Sequence, residues 1–150
     1  MPMTLSGTTG IVQPTAAAPA FSAYISSQTI SSNVWTKLMC SIEEFDTNNN
    51  FDSASNYRFT PTVSGYYQFN GKLQAGASAT PMALSFYKNG SAFKDGQDSS
   101  ASVAGISSSA LIYLNGSTDY VELYAYLLTG QILASGIAKT YFQAFLARSA

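Results

Sequence analysis

The chain carries eight acidic side chains, Glu43, Glu44, Asp46, Asp52, Asp95, Asp98, Asp119 and Glu122, and no histidine. General acid–base catalysis needs a histidine, or carboxylates tuned by burial or pairing. Most of these eight lie in predicted loops and turns, where solvent keeps them ordinary. The densest cluster, Glu43-Glu44-Phe45-Asp46, offers oxygen donors that suit a hard cation, so calcium is the metal to consider. Its spacing does not match an EF-hand, and neighbouring Glu43 and Glu44 on a strand point to opposite faces. No cofactor is therefore expected, with calcium as the one exception to test. A serine nucleophile would lack a histidine base, Ser-Lys pairing has no pocket signature beside it, and glycine-rich phosphate motifs are missing. The chain is not expected to be an enzyme.

Binding chemistry is better represented. The segment Asn48-Asn-Asn-Phe-Asp52 offers Asn48, Asn50 and Asp52 to sugar hydroxyls, with the Phe51 ring beside them. Lys94-Asp-Gly-Gln-Asp98 offers Asp95, Gln97 and Asp98 in the same way. Ten tyrosines and nine phenylalanines accompany them. Such rings fill a core, form a charge-depleted subunit interface, or stack on sugars through an apolar face with a polar tip. Tyr120, Tyr124 and Tyr126 alternate with Val121, Leu123, Ala125 and Leu127, so they lie opposite an all-apolar face. They are candidates for an interface or a ligand surface.

Composition narrows the partners. Only 10% of residues are charged and the net charge is −1, which provides no electrostatic footprint for nucleic acid or an anionic membrane. Neutral carbohydrate is the expected ligand class. Low self-repulsion also suits a subunit buried in an assembly. The single cysteine, Cys40, cannot form an intrachain disulfide and reads as a small buried hydrophobe. No run approaches the ~18 apolar residues of a membrane-spanning helix. Met1-Pro-Met-Thr-Leu-Ser-Gly7 lacks the basic and apolar regions of a signal peptide, so no export is expected.

The elements that position these groups read as strands. Pro61 stops any helix and cannot donate to a central ladder. Val63-Ser-Gly65 supplies a turn, with Gly65 free to take positive φ, and Tyr66-Tyr-Gln-Phe69 follows as a strand. Asn89-Gly90 closes one predicted hairpin, and Asn115-Gly116 a second between Leu111–Leu114 and Tyr120–Leu127. Phe69 and Phe86 alternate with polar neighbours and point inward. Helical periodicity is lacking, and 150 residues suffice for one domain with its own core. The fold class is all-β, a sandwich or jelly roll. Residues 1–18 differ: Thr4 to Val12 can form a short strand or turn, and Gln13 to Ala20 reads as a linker. The division is an arm over 1–18 and a folded domain over 19–150.

The order of these pieces resembles the C1q-like globular domain of the tumour-necrosis-factor superfamily. Phe45 opens a polar loop, and a proline and glycine then introduce Tyr66-Tyr-Gln-Phe69. Pro19-Ala-Phe-Ser-Ala23 looks like the opening strand of that family. Leu84-Ser-Phe-Tyr-Lys-Asn-Gly90 is similar to its mid-domain strand and turn, Ser109 to Leu123 to its penultimate hairpin, and Tyr141-Phe-Gln-Ala-Phe-Leu146 to its closing strand. The likeness spans residues 19–148. It implies a C1q/TNF-like jelly roll assembling as a homotrimer around a three-fold axis, the arms emerging at one end. The arm is similar to attachment segments of tailed-phage virion proteins. The expected role is a virion surface protein: a tail-fibre head that binds host glycan, with its contact loops at the end away from the arm. Its other partners would be virion proteins held through residues 1–18. The alternatives are a capsid decoration or cement protein and a cellular lectin-like module.

Overall fold

Alternating apolar residues, interrupted by turn-forming pairs, build an all-β sandwich. The computed structural model describes residues 4–6, 10–12, 18–79 and 81–150. In chain order the strands are β1 (Thr4–Ser6), β2 (Gly10–Val12), β3 (Ala20–Tyr24), β4 (Thr29–Ile30), β5 (Thr36–Lys37), β6 (Ile42–Asp46), β7 (Phe51–Asp52) and β8 (Arg58–Phe59). They continue as β9 (Gly65–Ala79), β10 (Met82–Lys88), β11 (Ser91–Ser99), β12 (Val103–Leu114), β13 (Val121–Leu127), β14 (Gln131–Ile132) and β15 (Tyr141–Ser149). The back sheet runs β12-β9-β15-β3-β6, and the front sheet runs β11-β10-β13-β8-β7 with β5 also paired to β13. β4 and β14 form a small two-stranded sheet, as do β1 and β2. Of the linker expected over Gln13 to Ala20, residues 13–17 lie outside the described residues, and Ala20 already opens β3.

The core is aromatic because the inward phase of both sheets is aromatic. Tyr67, Phe69 and Leu73 of β9 point inward, as do Phe86 of β10 and Val121, Leu123, Ala125 and Leu127 of β13. Phe142 meets Phe69 at a ring separation of 5.7 Å, Phe86 at 6.3 Å and Phe21 at 5.1 Å. Both sheets therefore share one cluster, in which each buried side chain contributes about 1.5–3 kcal/mol. Cys40 lies in this core, and burial pushes its thiol up to about 12, which keeps it protonated and inert. Tyr67 donates its hydroxyl to the Val63 carbonyl at 2.7 Å, which satisfies the one polar atom of a buried ring.

Two turns behave differently from their sequence signals. Asn89-Gly90 closes the β10–β11 hairpin as expected, with φ of 54° and 81°. Asn115-Gly116 does not close a hairpin: β12 pairs with β9 in the back sheet, while β13 belongs to the front sheet. The Asn115 side chain accepts hydrogen bonds from the backbone N–H groups of Ser117, Thr118 and Asp119, shaping a crossover between sheets. Gly65 is also used differently. It is not among the positive-φ glycines; a Cβ there would lie 2.4 Å from the Arg148 carbonyl oxygen, so close strand approach requires it.

Candidate functional site

The two polar segments singled out from sequence have different fates. In Asn48–Asp52 most of the polar capacity is consumed locally. Asp46, just before it, accepts the Phe51 N–H at 2.6 Å and the Asn48 N–H at 3.2 Å. Asn50 is buried, and its side chain donates to the Asn48 carbonyl and accepts from Thr62. Asp52 accepts from the N–H groups of Ala54 and Ser55 and from the Asn56 amide. The Ser55 N–H, then the Asn56 side chain, hold the Asp52 carboxyl below its usual range. Phe51 does not face a ligand: its ring stacks on Phe21 at 4.5 Å inside the core. Nor is this loop remote from the arm. Thr47 exchanges backbone and side-chain hydrogen bonds with Ala20 and donates to the Ala18 carbonyl, placing the loop where the arm joins.

The second segment, Lys94–Asp98, is not a loop but part of edge strand β11. A bulge in its pairing with β10 sets Asp95 opposite Ser85 and Asp98 opposite Ala83. Two residues on β10 thus correspond to three on β11, which turns both carboxylates to the outer face of the sheet. Gly96 sits in the bulge because a Cβ there would press within 2.4 Å of the Ser108 hydroxyl and 2.9 Å of the Leu84 carbonyl. Gln97 points elsewhere and accepts a hydrogen bond from the Ser107 N–H of β12.

The tyrosine face lies on the same outer surface. Tyr124 stacks on Tyr87 at 3.9 Å, and Trp35 packs against Tyr87 at 6.5 Å and Tyr126 at 5.7 Å. The Tyr126 hydroxyl donates to Asn33 at 2.8 Å, which fixes the loop ahead of Trp35. Burial, then the Glu122 carboxylate, push the Tyr124 phenol up. Tyr120 lies under the Arg58 guanidinium at 4.2 Å, apart from the other two. Glu122, between the tyrosines, is buried and bonds Lys37 at 2.6 Å. The three tyrosines are therefore half-buried, Tyr120 under Arg58, Tyr124 against Tyr87 and Tyr126 against Trp35.

Asp95, Asp98, Trp35, Tyr87, Ser85 and Ala83 line a groove of about 350 Å³. Neither Trp35 nor Tyr87 is among the residues expected to bind. The signal for Tyr87 was its alternation with inward Phe86; for Trp35 it was its being the sole indole of the chain. The register also shows where the groove lies. Ala83 pairs with Tyr126 near the far end of β13, while Lys88 and Val121 sit at the end that holds Gly65 and Ala20. The Asp98 side of the groove is distal to the arm.

The outer face of the back sheet has the opposite character. Tyr66 and Tyr113 pair across β9 and β12, and Leu111 and Phe145 flank Gln68. These four rings and chains remain 43–53% exposed, where the core residues between them are sealed. Asn70, Ser109 and Gln143 continue the face as a neutral polar strip. Among the described residues no group of three or more acidic, cysteine or histidine side chains is placed to hold a metal ion. No helix among them is long and apolar enough to cross a membrane.

No family model and no curated protein matches the chain. Solved structures do. The globular domain of zebrafish complement 1qA is similar over 89% of this chain and 99% of its own, with a TM-score of 0.64 and 17% identity. Murine APRIL is similar over 86% and 98%, with a TM-score of 0.65 and 10% identity. PRD1 vertex protein P5 is similar over 87% and 97%, with a TM-score of 0.60 and 20% identity. The fold is a C1q/TNF-like jelly roll.

Proposed function

We propose that the chain is the trimeric head of a virion surface protein, held to its particle through residues 1–18 and contacting host glycan at the opposite end. The observation that carries this reading is the bare apolar strip Tyr66, Tyr113, Leu111 and Phe145 on the outside of the back sheet. Exposed apolar groups clustered on one sheet, in a chain with 10% charge, match the core of a subunit interface. A three-fold arrangement buries that strip in every copy and sends the arms to one end. The role is assembly and binding rather than catalysis, and nucleic acid is not among the partners.

The particle assignment draws support from the likeness to PRD1 vertex protein P5. That name also favours a second reading, a protein seated on a capsid as decoration, because a vertex belongs to a shell. The first test uses particles assembled with a chain lacking residues 1–18. The truncated head should melt at the full-length temperature and be lost from particles; normal incorporation would contradict the anchoring role. A glycan array probed with the full-length protein separates the two readings. Binding to any glycan supports the attachment head, and an empty array supports decoration.

A further inference from the structure

The groove beside Trp35 has features that a solvated surface does not require. Its floor is β10, where Ala83, Ser85 and Tyr87 face outward. One wall is the aromatic stack of Trp35, Tyr87 and Tyr124. The other wall is β11, where the bulge aligns Asp95 and Asp98. Ser85 is buried and donates toward Asp95 at 3.2 Å, which orients that carboxylate. Among the described residues neither Asp95 nor Asp98 takes part in an ion pair, and Asp98 accepts no hydrogen bond. No lysine or arginine lines the groove. The depression around Asn50 and Asp52 differs on this point: it includes Arg58, and the Asp52 carboxylate is already satisfied by its own loop.

We propose that this groove binds a protonated amino sugar, the ring laid on Trp35 and Tyr87 and the ammonium directed to Asp95 and Asp98. The proposal rests on the glycan-contact reading above and names the class of sugar. Three arguments converge on it. Two unpaired carboxylates favour a cation through charge-assisted hydrogen bonds. Electron-rich indole and phenol faces favour the same charge and also stack on an apolar sugar face. A volume of about 350 Å³ is at the small end of ligand pockets and suits a saccharide unit rather than a polymer segment. The Asp98 side of the groove lies at the end of the sandwich away from Ala20. Neutral carbohydrate, the class expected from composition, would leave both carboxylates without a positive partner.

Trp35 is the chain's only tryptophan, so its fluorescence reports on this groove alone. The full-length protein is titrated with glucosamine, N-acetylglucosamine, glucose and tetramethylammonium up to tens of millimolar, since a single site of this size binds weakly. Glucosamine should change the emission saturably, and about tenfold or more tightly than each of the other three. Asp98→Asn should weaken glucosamine binding about tenfold while thermal melting stays unchanged, and Asp95→Asn should act in the same direction. If glucose matches glucosamine in both the natural protein and Asp98→Asn, the charge assignment is overturned while glycan contact stands. Tetramethylammonium matching glucosamine would overturn the role of the sugar ring. Silence with all four probes overturns the groove as a site, and the array then reports separately on glycan contact elsewhere.

Discussion

The two outer faces of the sandwich are built from the same kinds of residue and are covered to different degrees. On the front, Tyr87, Tyr124 and Tyr126 are half-buried against one another and against Trp35, itself 40% exposed, and Glu122 is matched by Lys37. On the back, Tyr66 and Tyr113 meet as a pair at 5.5 Å, yet with Leu111 and Phe145 they stay open to solvent. Aromatic content alone therefore does not distinguish a finished surface from an unfinished one. The difference lies in what surrounds the rings. The loop carrying Asn33 to Trp35 folds over the front, whereas among the described residues the back strip on β9, β12 and β15 is flanked by neighbouring strands. On the proposed reading the front works as a site within one chain, and the back is covered by a second copy.

The most disruptive way to break this contrast is through the core that both faces share. Phe69→Ala removes a fully buried ring that touches Phe59, Phe86 and Phe142, and should cost about 3–5 kcal/mol. Denaturant unfolding followed by Trp35 fluorescence on the front and by circular dichroism overall should shift together. A midpoint unchanged from the natural protein would put the ring outside the core.

The front face should be more sensitive to loss of its internal partner than the back to loss of exposed groups. Lys37→Ala leaves Glu122, whose side chain is 5% exposed, without its cation. The cost should be about 2 kcal/mol, below that of a fully buried pair because the Lys37 side chain is 30% exposed. Leu111→Asp should change the stability of the isolated chain by about 0.5 kcal/mol or less, as for an ordinary surface position. Equal losses in a denaturant series would erase the distinction between the faces.

The smallest effect concerns acid. Asp52 is held below its usual range, so its contribution is fully present above the unfolded value of about 3.9 and fades as pH falls through the lower folded value. Melting temperature should therefore decline more steeply below about pH 4 in the natural protein than in Asp52→Asn. Parallel acid limbs would show that the carboxylate does not hold its loop.

Much of the sandwich was legible because single residues forced it. Pro61 ended any helix, Asn89-Gly90 specified a hairpin, and strict alternation in Val121–Leu127 assigned the inward face of β13. Phe51 was misleading because its neighbours are polar, and only the stack on Phe21 reveals its burial. Asn115-Gly116 carried a hairpin signal that the Asn115 side chain diverts into a crossover. Asp95 and Asp98 share a face only because of the bulge at Gly96, which pure period-two counting cannot place. The back strip was hidden in plain apolar runs: Leu111-Ile-Tyr-Leu114 is apolar on both faces, the pattern of a strand covered on both sides.

A trimeric head requires that other copies of the chain cover the back strip. Sedimentation equilibrium at micromolar concentration tests it most directly. The expected species has three times the 15.9 kDa chain mass, reduced to the single-chain mass in Leu111→Asp/Phe145→Asp with the fold retained. A folded monomer of the natural protein, with Tyr66, Leu111, Tyr113 and Phe145 open to water, would contradict it.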